Sequence, residues 1–136
     1  MAASYNNIGM VYDSQGKYEE ALEYYQKDLD ITVRLVGGDH LDVAKSYFNI
    51  GSVYYRQGQY ERALEYYQKA LEIDIKVSGQ EHPDVVAAKE NIGLVFEAMG
   101  KESEAKQMFT EAAGIRRKVF GADHPLTKKS EYLAAQ

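Results

Sequence analysis

Cysteine is absent from the 136 residues, which removes disulfides, thiolate nucleophiles and zinc–thiolate sites at once. Tryptophan is absent too, and proline occurs only twice. Few prolines among many Glu, Lys, Gln, Ala and Leu leave little to interrupt long helices. Positive charge is in deficit: 16 Lys and Arg against 21 Asp and Glu give a net charge of −5. General affinity for nucleic acid or an anionic membrane needs a cationic surface, so both are excluded as partners. No apolar run nears the ~18 residues of a membrane-spanning helix. The opening MAASYNNIG has neither a basic nor an apolar leader segment, and a cytoplasmic location is expected. Motifs for phosphate loops, dinucleotide folds, serine hydrolases and zinc proteases are missing as well, so no catalytic residue, metal or cofactor is expected.

What the sequence has is repetition. Residues 4–45 laid over 46–87 agree at 24 of 42 positions without a gap. YNNIGMVYDSQGKYEEALEYYQKDLDI (5–31) matches YFNIGSVYYRQGQYERALEYYQKALEI (47–73), and KENIGLVFEAMGKESEAKQMFTEAAGI (89–115) is a third, weaker copy. Gly9, Gly51 and Gly93 keep the same spacing, as do Gly16, Gly58 and Gly100, and His40, His82 and His124. Such self-similarity identifies a stacked repeat fold.

Each copy reads as two antiparallel helices. In the second copy, helix A carries Tyr47, Ile50, Gly51 and Tyr54 at spacings of three and four. Gly58 ends it, since glycine accepts the left-handed conformation of a helix terminus. Helix B runs from about Tyr60 to Val77, with Ala63, Leu64, Tyr67, Ala70, Leu71 and Ile73 inward. A short loop with Gly79 leads to His82-Pro83-Asp84, where Pro83 suits the first helical position and Asp84 the positive end of the dipole. Gly51 and Ala63 are small enough to let the two helices approach closely. The three histidines are expected to start helices, not to bind metal. The acids Glu19 and Glu20, and Asp28 and Asp30, are read as solvated surface within helix B.

The series Tyr47, Ile50-Gly51, Tyr54, Gly58, Ala63, Tyr67, Ala70 resembles the tetratricopeptide (TPR) signature. The 42-residue period and the His82-to-Val85 start are similar to the long-repeat subclass of kinesin light chains and nephrocystin-3-like proteins. The resemblance implies an all-α fold: a right-handed α/α superhelical solenoid of three helix pairs with a C-terminal capping helix. One domain, 1–136, is expected, with repeats at about 1–40, 41–82 and 83–124 and the cap at 125–136. The sequence opens inside or just before a first helix A and stops within a fourth, which suggests a fragment or an engineered array. Departures are Asp28 where the family has alanine, Ser103 where it has an aromatic, and Leu41 opposite Pro83 and Pro125.

The copies differ most tellingly at Asn6/Phe48, Met10/Ser52, Asp13/Tyr55 and Ser14/Arg56, which share one face of helix A. In TPR proteins that face lines the groove for a partner's peptide or helix. Carried over, the groove comprises Asn6, Asn7, Met10, Asp13, Ser14, Lys45, Phe48, Asn49, Ser52, Tyr55, Arg56, Ala87, Glu90, Asn91, Leu94, Glu97 and Ala98, continued by Lys129 and Tyr132. Asn7, Asn49 and Asn91 recur in every copy, where they either bind a peptide backbone or satisfy neighbouring helix groups. Of the clamp that holds a terminal carboxylate in chaperone-binding TPR domains, only Asn49 fits, which argues against that ligand. Lys45 and Arg56 leave open a groove for short acidic-aromatic peptides.

Two readings of function follow. One is a non-enzymatic protein-interaction scaffold. The other is a self-assembling, designed or engineered repeat protein forming a closed homo-oligomer. For the second, residues 1–100 carry a net −7 and residues 101–136 a net +2. Ala2, Ala3 and Tyr5 at one end, and Tyr132, Leu133, Ala134 and Ala135 at the other, offer surfaces that unlike contacts between copies could cover.

Overall fold

A computed structural model describes the backbone of residues 2–135 and the side chains of 5–135. Seven α-helices account for nearly all of it: α1 (Ala2–Ser14), α2 (Tyr18–Val36), α3 (Leu41–Arg56), α4 (Tyr60–Ser78), α5 (Pro83–Ala98), α6 (Glu102–Phe120) and α7 (Pro125–Ala135). No strand occurs among the described residues. Two compact units divide the chain, Met1–Ile73 and Asp74–Gln136, with α4 belonging to the first through Ile73.

Local rules set the helix ends. Gly16, Gly58 and Gly100, which close the A helices, have φ of 75°, 78° and 78°, a left-handed conformation in which a side chain would be strained. Each later A helix opens on a histidine. The His40 ring accepts through Nδ1 from the Asp42 amide at 3.0 Å, His82 from Asp84 at 3.1 Å and His124 from Leu126 at 3.1 Å. An imidazole nitrogen thus takes the role more often filled by Ser, Thr, Asp or Asn. Pro83 sits in the first turn, where no amide donor is missed.

In the first unit, α2 packs against α1 and α3. Ala21, Tyr25 and Leu29 of α2 meet Val43, Ala44, Ile50 and Val53 of α3, with Ala70 and Ile73 of α4 in the same cluster. Close approach depends on small residues: a methyl at Gly51 would lie 2.9 Å from the Tyr67 ring and 3.3 Å from the Ala63 carbonyl. In the second unit, α6 packs against α5 and α7. Phe109 is 1% exposed and Ala112 fully buried, beside Ile92 and Val95 at 2% and 1%.

One expectation fails. Asp28 does not lie on the solvated surface; it is 7% exposed and accepts a hydrogen bond from Ser46 at 2.7 Å. Its counterparts are Ala70 and Ala112, both core residues, so the carboxylate occupies a small inward position of helix B. Asp30, two residues on, does face solvent and accepts from Gln26.

Candidate functional site

In the first unit the expected groove residues of α1 and α3 are tied together. Asn49 Nδ2 donates to Asn6 Oδ1 at 2.9 Å, and Asn6 Nδ2 lies 3.6 Å from Met10 Sδ. The Arg56 guanidinium forks onto the Asp13 carboxylate, with Nε 3.0 Å from Oδ1 and Nη2 on Oδ2. Paired donors matched to two oxygens make this the best-oriented ion pair of the face. The Asp13 side chain is 15% exposed and that of Arg56 43%, so the outer side of the guanidinium still meets solvent.

Aromatic residues support this face from beneath. Phe48 packs on Tyr67 at a centroid distance of 5.3 Å, and Tyr55 on Tyr60 at 5.7 Å. Ser52 Oγ is 2.9 Å from the Tyr67 hydroxyl. Burial pushes the Tyr67 phenol up, with the Ser52 hydrogen bond pulling the other way. Tyr25 is pushed to about 12, by burial first and by the Asp13 carboxylate beside it. Both hydroxyls therefore stay protonated across the physiological range. Met10 is half exposed, Asn7, Ser14 and Lys45 are exposed, and Phe48, Ser52 and Tyr55 are half-buried.

The second unit distributes its share differently. Glu90 is 8% exposed: Arg116 Nη1 reaches its Oε2 at 3.0 Å and Ser130 Oγ at 2.7 Å. Asn91 donates to the Ala87 carbonyl at 2.8 Å, closing on its own helix. Ala87, Glu97, Ala98 and Lys129 are exposed, Leu94 is half-buried, and Tyr132 is 64% exposed. The recurring asparagines thus do different things. Asn49 bridges two helices, Asn91 bonds its own, and Asn7 lines a cleft.

A network that the repeat comparison did not single out lies on the other side of the A helices. Tyr5, Tyr12 and Tyr24 form a ladder with centroids 6.0 and 5.6 Å apart, and Lys27 stands 5.0 Å over the Tyr24 ring. Tyr47, Tyr54, Tyr66 and Lys69 repeat it one copy later. In the third copy Lys89, Phe96, Met108 and Glu111 take these positions, and Lys89 pairs with Glu111 at 2.6 Å. The tyrosine excess was the available signal.

Among the described residues no three His, Asp or Glu side chains converge as a metal site, and no helix is long and apolar enough to cross a membrane. Recurring pairs of antiparallel helices with small residues at their crossings make this a helical-repeat protein. Residues 1–76 and 49–118 match the family model for the tetratricopeptide repeat, and the chain belongs to that family. Members are generally non-enzymatic protein-interaction scaffolds. No curated protein matches the sequence.

Solved structures share the fold. BtubC (BKLC) from P. vanneervenii superposes with a TM-score of 0.87 at 21% identity, over 98% of this chain and 53% of that one. A protein of nearly identical TPR-like repeats from Podosopora anserina, assigned as a kinesin light chain, gives 0.82 at 22% identity over 98% and 63%. The N-terminal domain of stress-induced protein-1 from C. elegans gives 0.71 at 21% identity over 97% and 93%. The chain therefore spans a little over half the length of the first two.

Proposed function

We propose that this chain is a scaffold that holds a peptide or helix of a partner protein on the face formed by α1 and α3 in the first unit. The observation that carries this is the state of the face in the first unit. The side chains that differ between copies are held in place by bonds between α1 and α3, yet Met10, Arg56 and Lys45 remain open to solvent. Fixed side chains lose less entropy on binding, which favours recognition by a pre-ordered surface. Its chemistry is mixed: Phe48 and Tyr55 offer apolar contact, and the outer edge of Arg56 offers an acceptor's partner. The partner is a protein in the cytoplasm, and no cofactor is involved.

Peptides selected from a displayed library against the full chain test this reading. Tyr55→Ala and Arg56→Glu should each weaken the selected peptides at least tenfold while helicity by circular dichroism stays unchanged. Peptides whose affinity neither substitution alters refute it.

A second reading, self-assembly, has its own observation. Ile8 and Val11 of α1 are 38% and 56% exposed, whereas Ile50, Val53, Ile92 and Val95 at the same repeat positions are at most 2% exposed. Tyr132 and Leu126 of α7 are 64% and 38% exposed. The side chains of Ala2 and Ala3 lie outside the described residues. Contact between these faces on different copies forms a ring or filament. Light scattering after size exclusion should then show a multimer that Val11→Glu dissociates; a monomer at every concentration and salt refutes it. A designed origin belongs to this second reading.

A further inference from the structure

The buried Asp28 carboxylate lies at the floor of a cleft of about 290 Å³ in the first unit, between α1, α2 and α3. Asn6, Thr32, Asp42, Lys45 and Ser46 line it. Ser46 has one proton to give, and it goes to Asp28 Oδ2 at 2.7 Å in preference to the Asp42 carbonyl at 3.1 Å. An ionised carboxylate offers about four acceptor positions. Among the described residues Ser46 is the one donor that fills any of them. Thr32 beside it is 7% exposed, so the floor is walled from solvent except through the cleft.

The chain contains a completed version of the same place. Two repeats on, Asn6, Asp28, Thr32, Asp42, Lys45 and Ser46 correspond to Glu90, Ala112, Arg116, Leu126, Lys129 and Ser130. There the acid is Glu90, and it is neutralised: Arg116 Nη1 is 3.0 Å from Glu90 Oε2, 2.8 Å from Ser130 Oγ and 3.4 Å from the Leu126 carbonyl. Both partners are about nine-tenths buried. The first copy keeps the serine and an acid, moved from helix A to helix B, but has threonine where the guanidinium stem starts. Among the described residues Lys45 lines the cleft without bonding to Asp28, and its counterpart Lys129 is exposed.

From this comparison, and resting on the α1/α3 face as a partner-binding surface, we infer that the Asp28 cleft receives an arginine side chain of the bound partner. The incoming guanidinium takes the place that Arg116 holds in the third copy, donating to Asp28 and Ser46. Arginine is favoured over lysine because a planar fork can reach the carboxylate and the hydroxyl together. The exposed Asp42 carboxylate at the rim adds attraction.

The test uses the full chain, labelled with nitrogen-15, and the capped tripeptide acetyl-Ala-Arg-Ala-amide. Saturable shifts are expected at the amides of Asn6, Asn7, Thr32 and Ser46, and at least tenfold weaker binding of the citrulline counterpart. Asp28→Asn should remove the response. Thr32→Arg, which supplies the guanidinium from within, should also remove it, so the outcome does not hang on one variant's folding. Equal binding of both tripeptides, or shifts at these amides that survive Asp28→Asn and Thr32→Arg, would overturn the inference. Shifts confined to Phe48 and Tyr55 would overturn it while leaving the α1/α3 face as the partner surface.

Discussion

Two glycines inside helices, Gly93 in α5 and Gly114 in α6, should respond oppositely to the same substitution. At Gly93 an added methyl would stand 2.7 Å from Phe109 Cε1 and 3.0 Å from Cδ1 and Cζ. Carbon atoms in contact prefer roughly 3.5–4.0 Å, so the overlap is of the order of 1 Å. Phe109 is 1% exposed and has no solvent into which to retreat. Overpacking of this kind costs about 1–3 kcal/mol, and the helix preference of Ala over Gly returns about 1. Gly93→Ala should therefore lose up to roughly 2 kcal/mol. At Gly114 nothing stands within 4 Å of the new methyl, so only the helix preference acts. Gly114→Ala should gain about 0.5–1 kcal/mol. Urea denaturation followed by circular dichroism reads both, as opposite shifts of the midpoint at unchanged slope. Combining Gly93→Ala with Phe109→Leu should cost less than the sum of the two changes, because the smaller side chain relieves the overlap. A Gly93→Ala chain stabilised as much as Gly114→Ala would refute the close-approach argument for the repeated glycine.

Other consequences follow from the caps and the buried acids. His82→Ala removes the acceptor for the Asp84 amide and should cost about 1 kcal/mol in urea denaturation, with His82→Asn recovering most of it. Asp74 is 8% exposed, and its carboxyl is pushed up from 3.8 to about 6 by burial and by Asp84, against the pull of His82. Its stabilising contribution is complete below about pH 4, where both folded and unfolded chains are protonated, and is lost as pH rises through about 6. Asp74→Asn should thus stabilise more at pH 7 than at pH 4, by about 1–2 kcal/mol after screening, as measured by denaturation at the two pH values. Ser46→Ala alone strips Asp28 of its donor and should cost about 1–3 kcal/mol by the same measurement. Asp28→Ala with Ser46→Ala restores the pair found at Ala70 and Ala88 and should be near neutral or stabilising.

The repeat made most of the fold legible. Period, glycine positions and histidine loops point to three helix pairs and a C-terminal helix, because each signal has a local cause that recurs every 42 residues. The histidine caps were readable for the same reason. What one copy does differently was harder. Asp28 reads as surface because an acid in helix B ordinarily is, although its alignment with Ala70 and Ala112 points inward. Glu90 reads as an open groove acid until Arg116 and Ser130 are seen around it, since neither lies near it in sequence.

The same contrast shows where specificity can reside in such a chain. Positions that set the helix pairing barely vary: a methyl added at Gly9, Gly51 or Gly93 would stand 2.7–2.9 Å from an aromatic ring of the following helix. Changing them alters the whole pair, so they carry no information about a partner. The places represented by Asn6, Asp28 and Thr32 do change between copies, to Glu90, Ala112 and Arg116 in the third, where Ser46 recurs as Ser130. There the third copy satisfies its buried acid internally, and the first leaves a carboxylate with one donor. A buried charge short of partners costs stability, and binding a cation there offsets that cost. The ligand should therefore raise the stability of the parent chain at neutral pH and leave that of Asp28→Ala/Ser46→Ala unchanged. Thermal unfolding with and without the arginine tripeptide measures this, and an equal rise in both proteins would show that the cleft is not where it binds.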